Sequence, residues 1–146
     1  AIVDHAVIAR MDENGDLQYH LFADRMLHYA DNDSMELTRP KLSRIDAKSE
    51  LTVTADRGTV NQEIKEALLH DNVELVRQPK GNKSTLRIRS NFMQVFIERE
   101  VALSNLPVTI VNGASTLAGT GMRYDGKTGE LTLNSAVKGS FHAPKH

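Results

Sequence analysis

An Asn-Gly pair at positions 14–15, followed by strict alternation, constrains this chain more than any other stretch. Asn and Gly tolerate the positive φ that tight hairpin turns need. Beyond the turn, Leu17, Tyr19, Leu21 and Ala23 fall on one side, and Gln18 and His20 on the other. Period two over this length predicts a half-buried β-strand at residues 17–23. Residues 2–11 alternate loosely and predict the strand that pairs with it through the turn. Near Ala23-Asp24-Arg25 the chain is expected to change direction and run on to Tyr29.

Similar signals continue to the end of the chain. Residues 31–34 read as a loop. Residues 36–42 read as a short strand interrupted by Pro40, which cannot donate to a ladder, so it is expected at an edge or to be irregular. Leu51, Val53 and Ala55 alternate with Thr52 and Thr54, and Asp56-Arg57-Gly58 turns or kinks the chain. Strands follow at 73–76, 86–89 and 108–111, with turns at 79–82 and 112–113. A hairpin turn at 124–129 and runs at 131–133 and 137–141 close the sheet. Short alternating runs punctuated this often by turns predict an all-β sandwich or roll.

Residues 61–70 and 92–103 resist this reading, because both are rich in helix formers. An internal repeat argues the other way. Ala23-Asp24-Arg25 recurs 32 residues later as Ala55-Asp56-Arg57, and a shift of 64 maps Ala55 to Gly119, Leu69 to Leu133 and Val73 to Val137. A unit of two strands and two turns explains the spacing. Strands are therefore expected throughout.

Composition narrows the function. At 146 residues the chain is most simply one domain, and its net charge of −1 with scattered basic residues gives no nucleic-acid footprint. Without cysteine there is no disulfide, thiolate metal site or Cys nucleophile. Asp12-x-Asn14-x-Asp16 starts like a calcium loop but has Leu17 and Ala23 where glycine and glutamate belong. The six histidines lack ligand spacing. Ser115 lacks a nucleophile elbow, and Gly119-x-Gly121 precedes a hairpin rather than a helix. The expectation is no catalytic residues, no cofactor and no metal.

No membrane span is visible; the uncharged run at 101–122 is broken by Asn, Pro and Gly. The abrupt start at Ala1 reads as a domain cut from something longer, or a mature form. The inward apolar positions, among them Leu17, Tyr19, Leu21, Leu75, Ile88, Leu131 and Leu133, have two readings. One is an ordinary core. The other is an open roll whose splayed sheets take lipid between them.

Taken in order, Gly15-x-Leu17-x-Tyr19-x-Leu21-x-Ala23, Tyr29, Pro40, Ala55, Gly58, Asn72-Val73, Pro107-Val108, Gly113, Gly121-Met122 and residues 131–139 resemble the periplasmic domain of the LptC family. That family belongs to the lipopolysaccharide export machinery of Gram-negative bacteria. The resemblance implies one all-β domain, an open antiparallel β-jellyroll of twin-strand repeats like those of OstA and LptA. It implies a non-catalytic component, anchored at the periplasmic face of the inner membrane by an N-terminal helix that this chain does not include. Such a component accepts lipopolysaccharide from an ABC transporter and passes it to the bridge protein LptA. Lipid-facing positions are implied at Ala6, Leu37, Leu131 and Phe141, beside the inward Leu17, Tyr19 and Leu21. Gly15 and Gly113 are expected as structural glycines. The C-terminal strand (Leu131, Leu133, Val137, Gly139, Phe141) is expected as the exposed edge that meets LptA, and the N-terminal edge as the one facing the transporter's own jellyrolls. The alternatives are the bridge protein LptA itself and a jellyroll carbohydrate-active enzyme, which would need acids aimed into the groove.

Overall fold

A computed structural model describes residues 1–29, 31, 33–61 and 63–140, with backbone alone at 136–140. Eleven strands follow one another without a helix among the described residues: β1 Ile2–Met11, β2 Leu17–His28, β3 Ser34–Thr38, β4 Lys41–Ile45, β5 Ser49–Thr54, β6 Arg57–Asn61, β7 Glu66–Pro79, β8 Leu86–Phe96, β9 Val101–Asn112, β10 Ser115–Asp125 and β11 Leu131–Ser140. Each pairs antiparallel with its neighbours in one sheet, ordered β11-β10-β9-β8-β7-β5-β4-β2-β3-β6, with β1 on the free side of β2 and β6 returning to β7.

The sheet is creased across its middle. β2 pairs β4 through His20–Phe22 and β3 through Arg25–His28. Arg39-Pro40 separates β3 from β4, and Ala55-Asp56 separates β5 from β6. β7 breaks register between His70 and Val73, where Asp71 and Asn72 have φ of 67° and 51°. β8 shifts between Ser90 and Gln94, and β10 between Thr120 and Met122. Bulges bend a strand and increase its twist. Aligned across the sheet, these breaks fold it into two facing layers. The first holds the start of β2, then β4, β5 and the end of β7. The second holds the end of β2, then β3, β6 and the start of β7.

The recurring Ala-Asp-Arg triplet lies on this crease. Asp24 is ion-paired with Arg39, and Asp56 accepts from Asn72 Nδ2 at 2.7 Å. Arg25 reaches Asp4 at 3.0 Å, and Arg57 reaches Asp71 at 2.9 Å. In both copies the Asp ties one crease to the next, and the Arg ties the strand beyond it. Gly119, the third copy's small residue, sits where a Cβ would lie 2.5 Å from the Ser135 carbonyl oxygen. β10 and β11 can approach there only without a side chain.

Several expectations change in detail. Residues 17–28 form one continuous strand, and its change of direction near Asp24 is the crease, where it exchanges β4 for β3 as partner. Pro40 does interrupt the run, at the break between β3 and β4, but it is buried on the crease between strands paired on both sides rather than at an edge. Its missing N–H costs nothing there, and its carbonyl accepts from Ala55 N at 3.3 Å. The two runs expected at 131–133 and 137–141 are one strand, β11, with a register shift opposite Ala118/Gly119. Residues 66–70, 92–96 and 101–103 are strands despite the helix formers nearby, but 63–65 and 97–100 are turns, so strand does not run throughout. Ala67 and Leu69 bury on one face at period two, and β6 and β8 supply ladders on both sides. Two ladders and a buried face outweigh a propensity difference of about 0.5 kcal/mol per residue.

Candidate functional site: the interior between the layers

The inward residues of both layers form one cluster. Tyr19, Leu21, Val53, Leu75 and Ile88 come from the first layer; Leu37, Val60, Leu69, Met93, Val95 and Tyr124 come from the second. Leu75 is 1% exposed and Ile88 and Met93 are 0%. A cavity of about 40 Å³ lies between Tyr19, Leu51, Val53, Leu75, Val95 and Tyr124. That is about the room one water molecule takes. The centre of the roll is a packed core. Towards the C-terminal end the packing loosens: Leu86, Leu117, Leu131 and Leu133 are half-buried against the cluster.

Opposite the crease, polar contacts close the two layers together. Arg44 on β4 is ion-paired with Glu100 in the β8–β9 turn, whose side chain is 9% exposed. Arg10 on β1 reaches Glu98 in the same turn at 3.9 Å. The Tyr19 hydroxyl donates to the Ile64 carbonyl at 3.3 Å, and Arg77 Nη1 donates to the Tyr124 hydroxyl at 3.0 Å. Burial raises the Tyr19 pKa; Arg10 opposes the shift and Glu98 adds to it. Among the described residues Glu100 is the one acid lining the cavity, and it is held by Arg44. A pair of acids in contrasting environments, as glycoside hydrolysis uses, is not present along this cavity.

The residues expected at the lipid are partly brought together. Ala6, Tyr19, Leu21 and Leu37 are buried in the one cluster, and Leu131 packs on its rim. Leu17 does not join them; it is half-buried and outside the cluster. The cause is a bulge: Arg10 faces Tyr19 and Met11 faces Leu17, so Gln18 has no partner on β1. The extra residue breaks the alternation, and Gln18, expected outward, lines the cavity. Phe141 lies outside the described residues. Sequence reasoning missed the closing roles of Arg10, Arg44 and Arg77, and it reads Glu98 and Glu100 only as paired acids in a loop or on a wet face, whereas the Glu100 side chain is 9% exposed. Their only sequence signal is charge at strand ends, which is common on any surface.

Both expected structural glycines stand in turns with positive φ, 83° at Gly15 and 61° at Gly113. The Asp12 carboxylate accepts from Asn14 N at 2.8 Å and Asp16 N at 3.0 Å, so it caps that hairpin. At Gly113 a Cβ would also meet Ser84 Oγ at 2.7 Å. Gly113→Arg should therefore cost about 1–3 kcal/mol, because it combines a left-handed backbone with a close contact. Thermal unfolding followed by circular dichroism checks this; an unchanged melting temperature would show that the turn relaxes freely.

Two edge strands bound the roll. β1 pairs only β2, and β11 pairs only β10, among the described residues. β1 exposes Ile2, Val3, Val7 and Met11, between 48% and 62% each. For β11 the backbone places Leu133, Val137 and Gly139 along this edge.

A roll of creased strands, with an apolar interior and two free edges, is the setting for comparison with known proteins. The family model described as lipopolysaccharide-assembly, LptC-related, matches residues 1–142. The chain belongs to the LptC-related family. No curated protein gives a significant match. Among solved structures, the chain is similar to the crystal structure of LptH, the LptA-homologous periplasmic component of the conserved lipopolysaccharide transport device from Pseudomonas aeruginosa. The TM-score is 0.63 at 11% identity, over 87% of this chain and 89% of that one. The likeness is one of fold, an all-β jellyroll, as the LptC resemblance implied. LptC-related membership makes the chain a lipopolysaccharide-transport component of the periplasmic side of the inner membrane. No helix among the described residues is long and apolar enough to cross a membrane.

Proposed function

We propose that this LptC-related domain carries lipopolysaccharide without catalysis, holding acyl chains between its two layers. It receives the lipid at its β1 edge from the periplasmic jellyrolls of an inner-membrane ABC transporter and passes it to LptA at its β11 edge. In the full-length protein a single N-terminal helix anchors it. The observation that carries this reading is one apolar interior lying between two unpaired edge strands. Edge strands pair with other chains through main-chain hydrogen bonds. Each buried methylene of an acyl chain contributes about 0.8 kcal/mol. The packed centre requires the layers to part, and the contacts at Arg10, Arg44 and Tyr19 are what must break.

The test is a photo-crosslinking residue at Leu21, Leu37 or Leu131, with outward Thr132 as the control. The three inward sites should capture lipopolysaccharide, and Thr132 should not. Equal labelling at all four would reject the interior as the carrying surface.

A further inference from the structure

The roll's mouth carries a second feature, distinct from the apolar cavity. A wide basin of about 850 Å³ lies between the β4–β5 turn, the β7–β8 turn and the start of β11's hairpin. Four cations line it: Lys48, Arg77, Lys80 and Lys83. Among the described residues no acid lines it, although acids outnumber bases in the chain, 19 to 18. None of these four cations takes part in an ion pair among the described residues, whereas Arg10, Arg25, Arg39, Arg44, Arg57, Arg87 and Arg89 all do. Four cations around one concavity, none of them in an ion pair among the described residues, attract an anion and bind it by charge-assisted hydrogen bonds.

The frame of the basin is built. Lys80 N donates to the Lys48 carbonyl at 2.9 Å, which fixes the two turns side by side. The Asp46 carboxylate accepts from Lys48 N at 2.7 Å and Ser49 N at 2.9 Å. Those bonds lower its pKa below the usual carboxylate range, and the nearby Arg44 and Arg77 charges lower it further. Arg77 is held by the Tyr124 hydroxyl.

Tyr124 joins the two spaces. It lines both the apolar cavity and the basin, and Leu86, half-buried against the core, also lines the basin. Apolar wall and cationic wall thus meet at one tyrosine. A ligand that satisfies both has acyl chains and, directly attached, a phosphate.

We propose that this basin binds the phosphorylated headgroup of an acylated lipid whose chains enter beside Tyr124 and Leu86. The proposal rests on the reading of the domain as a lipopolysaccharide carrier and names where the phosphates of that cargo sit. Inorganic phosphate shares the headgroup chemistry, so the experiment separates the two sources.

The probes are the acylated glucosamine disaccharide bisphosphate, its enzymatically dephosphorylated form, and inorganic phosphate. Binding is measured to the wild-type domain and to Lys80→Glu/Lys83→Glu, two exposed turn positions whose change should leave the fold intact by circular dichroism. The wild type should prefer the bisphosphate over the dephosphorylated lipid by about tenfold or more, the scale of one or two charge-assisted bonds. The double variant should lose that preference while still binding the dephosphorylated lipid as the wild type does. Added salt should shrink the wild-type preference, since the cations are exposed. A double variant that keeps the preference overturns the headgroup site but leaves the carrier reading standing. Inorganic phosphate binding as tightly as the lipid overturns the role of the chains. Failure of both lipids to bind the wild type overturns the carrier reading and this proposal together.

Discussion

Removing residues 134–146 should abolish capture of LptA while the rest of the roll stays folded and still binds the transporter's periplasmic jellyrolls. The deletion takes away the part of β11 that pairs with residues 116–120 of β10, and with it the free edge. The strands that hold the core are untouched, because β7 and its neighbours β5, β6 and β8 carry Leu69, Val73, Leu75, Ile88 and Met93. The opposite edge, β1, is also intact. A pull-down against both partners reads the result, with circular dichroism as the folding control. The proposed contact would join unlike edges, and would therefore extend into a chain of rolls rather than close as a symmetric pair. A truncated, folded domain that still captures LptA would place the docking edge elsewhere.

Leu75→Ala should destabilise the roll by about 3–5 kcal/mol, near the upper end for such a change. Leu75 lies on β7, the strand that pairs with three others, and is 1% exposed. It borders the existing cavity, so the space left by its side chain adds to that void rather than being filled by collapse. A loss of this size is a large share of a small domain's total stability. Exposed Leu106, truncated to Ala, should change stability by about 0.5 kcal/mol or less. Urea unfolding of both variants makes the comparison. Similar losses for the two would mean that the layers are not packed against each other around Leu75.

Much of this was readable from residues alone. Alternation at Leu17–Ala23 and at Leu86–Arg89, with turns at Asn14-Gly15 and Gly113, specified strands and hairpins, because pleat and positive φ are local properties. The Ala-Asp-Arg repeat located the crease before its purpose was known, since each unit must solve the same bending problem at the same place. The repeat also overruled helix propensity at residues 66–70, correctly.

What the residues alone did not determine depends on long-range approach. The bulge at Gln18 is set by how β1 registers against β2, and it turned Leu17 away from the core and Gln18 towards it. Pro40 became a buried crease residue because β2, β5 and β6 surround it, which no local pattern encodes. The closing contacts join residues 45 to 88 positions apart, Tyr19 to Ile64 and Arg10 to Glu98. The basin gathers Lys48 from the β4–β5 turn, Arg77 from the end of β7, and Lys80 and Lys83 from the β7–β8 turn. Backbone geometry and side-chain period act over a few residues and so can be read in order. Charge pairing, cavity shape and free edges arise only once distant strands share a sheet, and the folding of that sheet on its crease decided them.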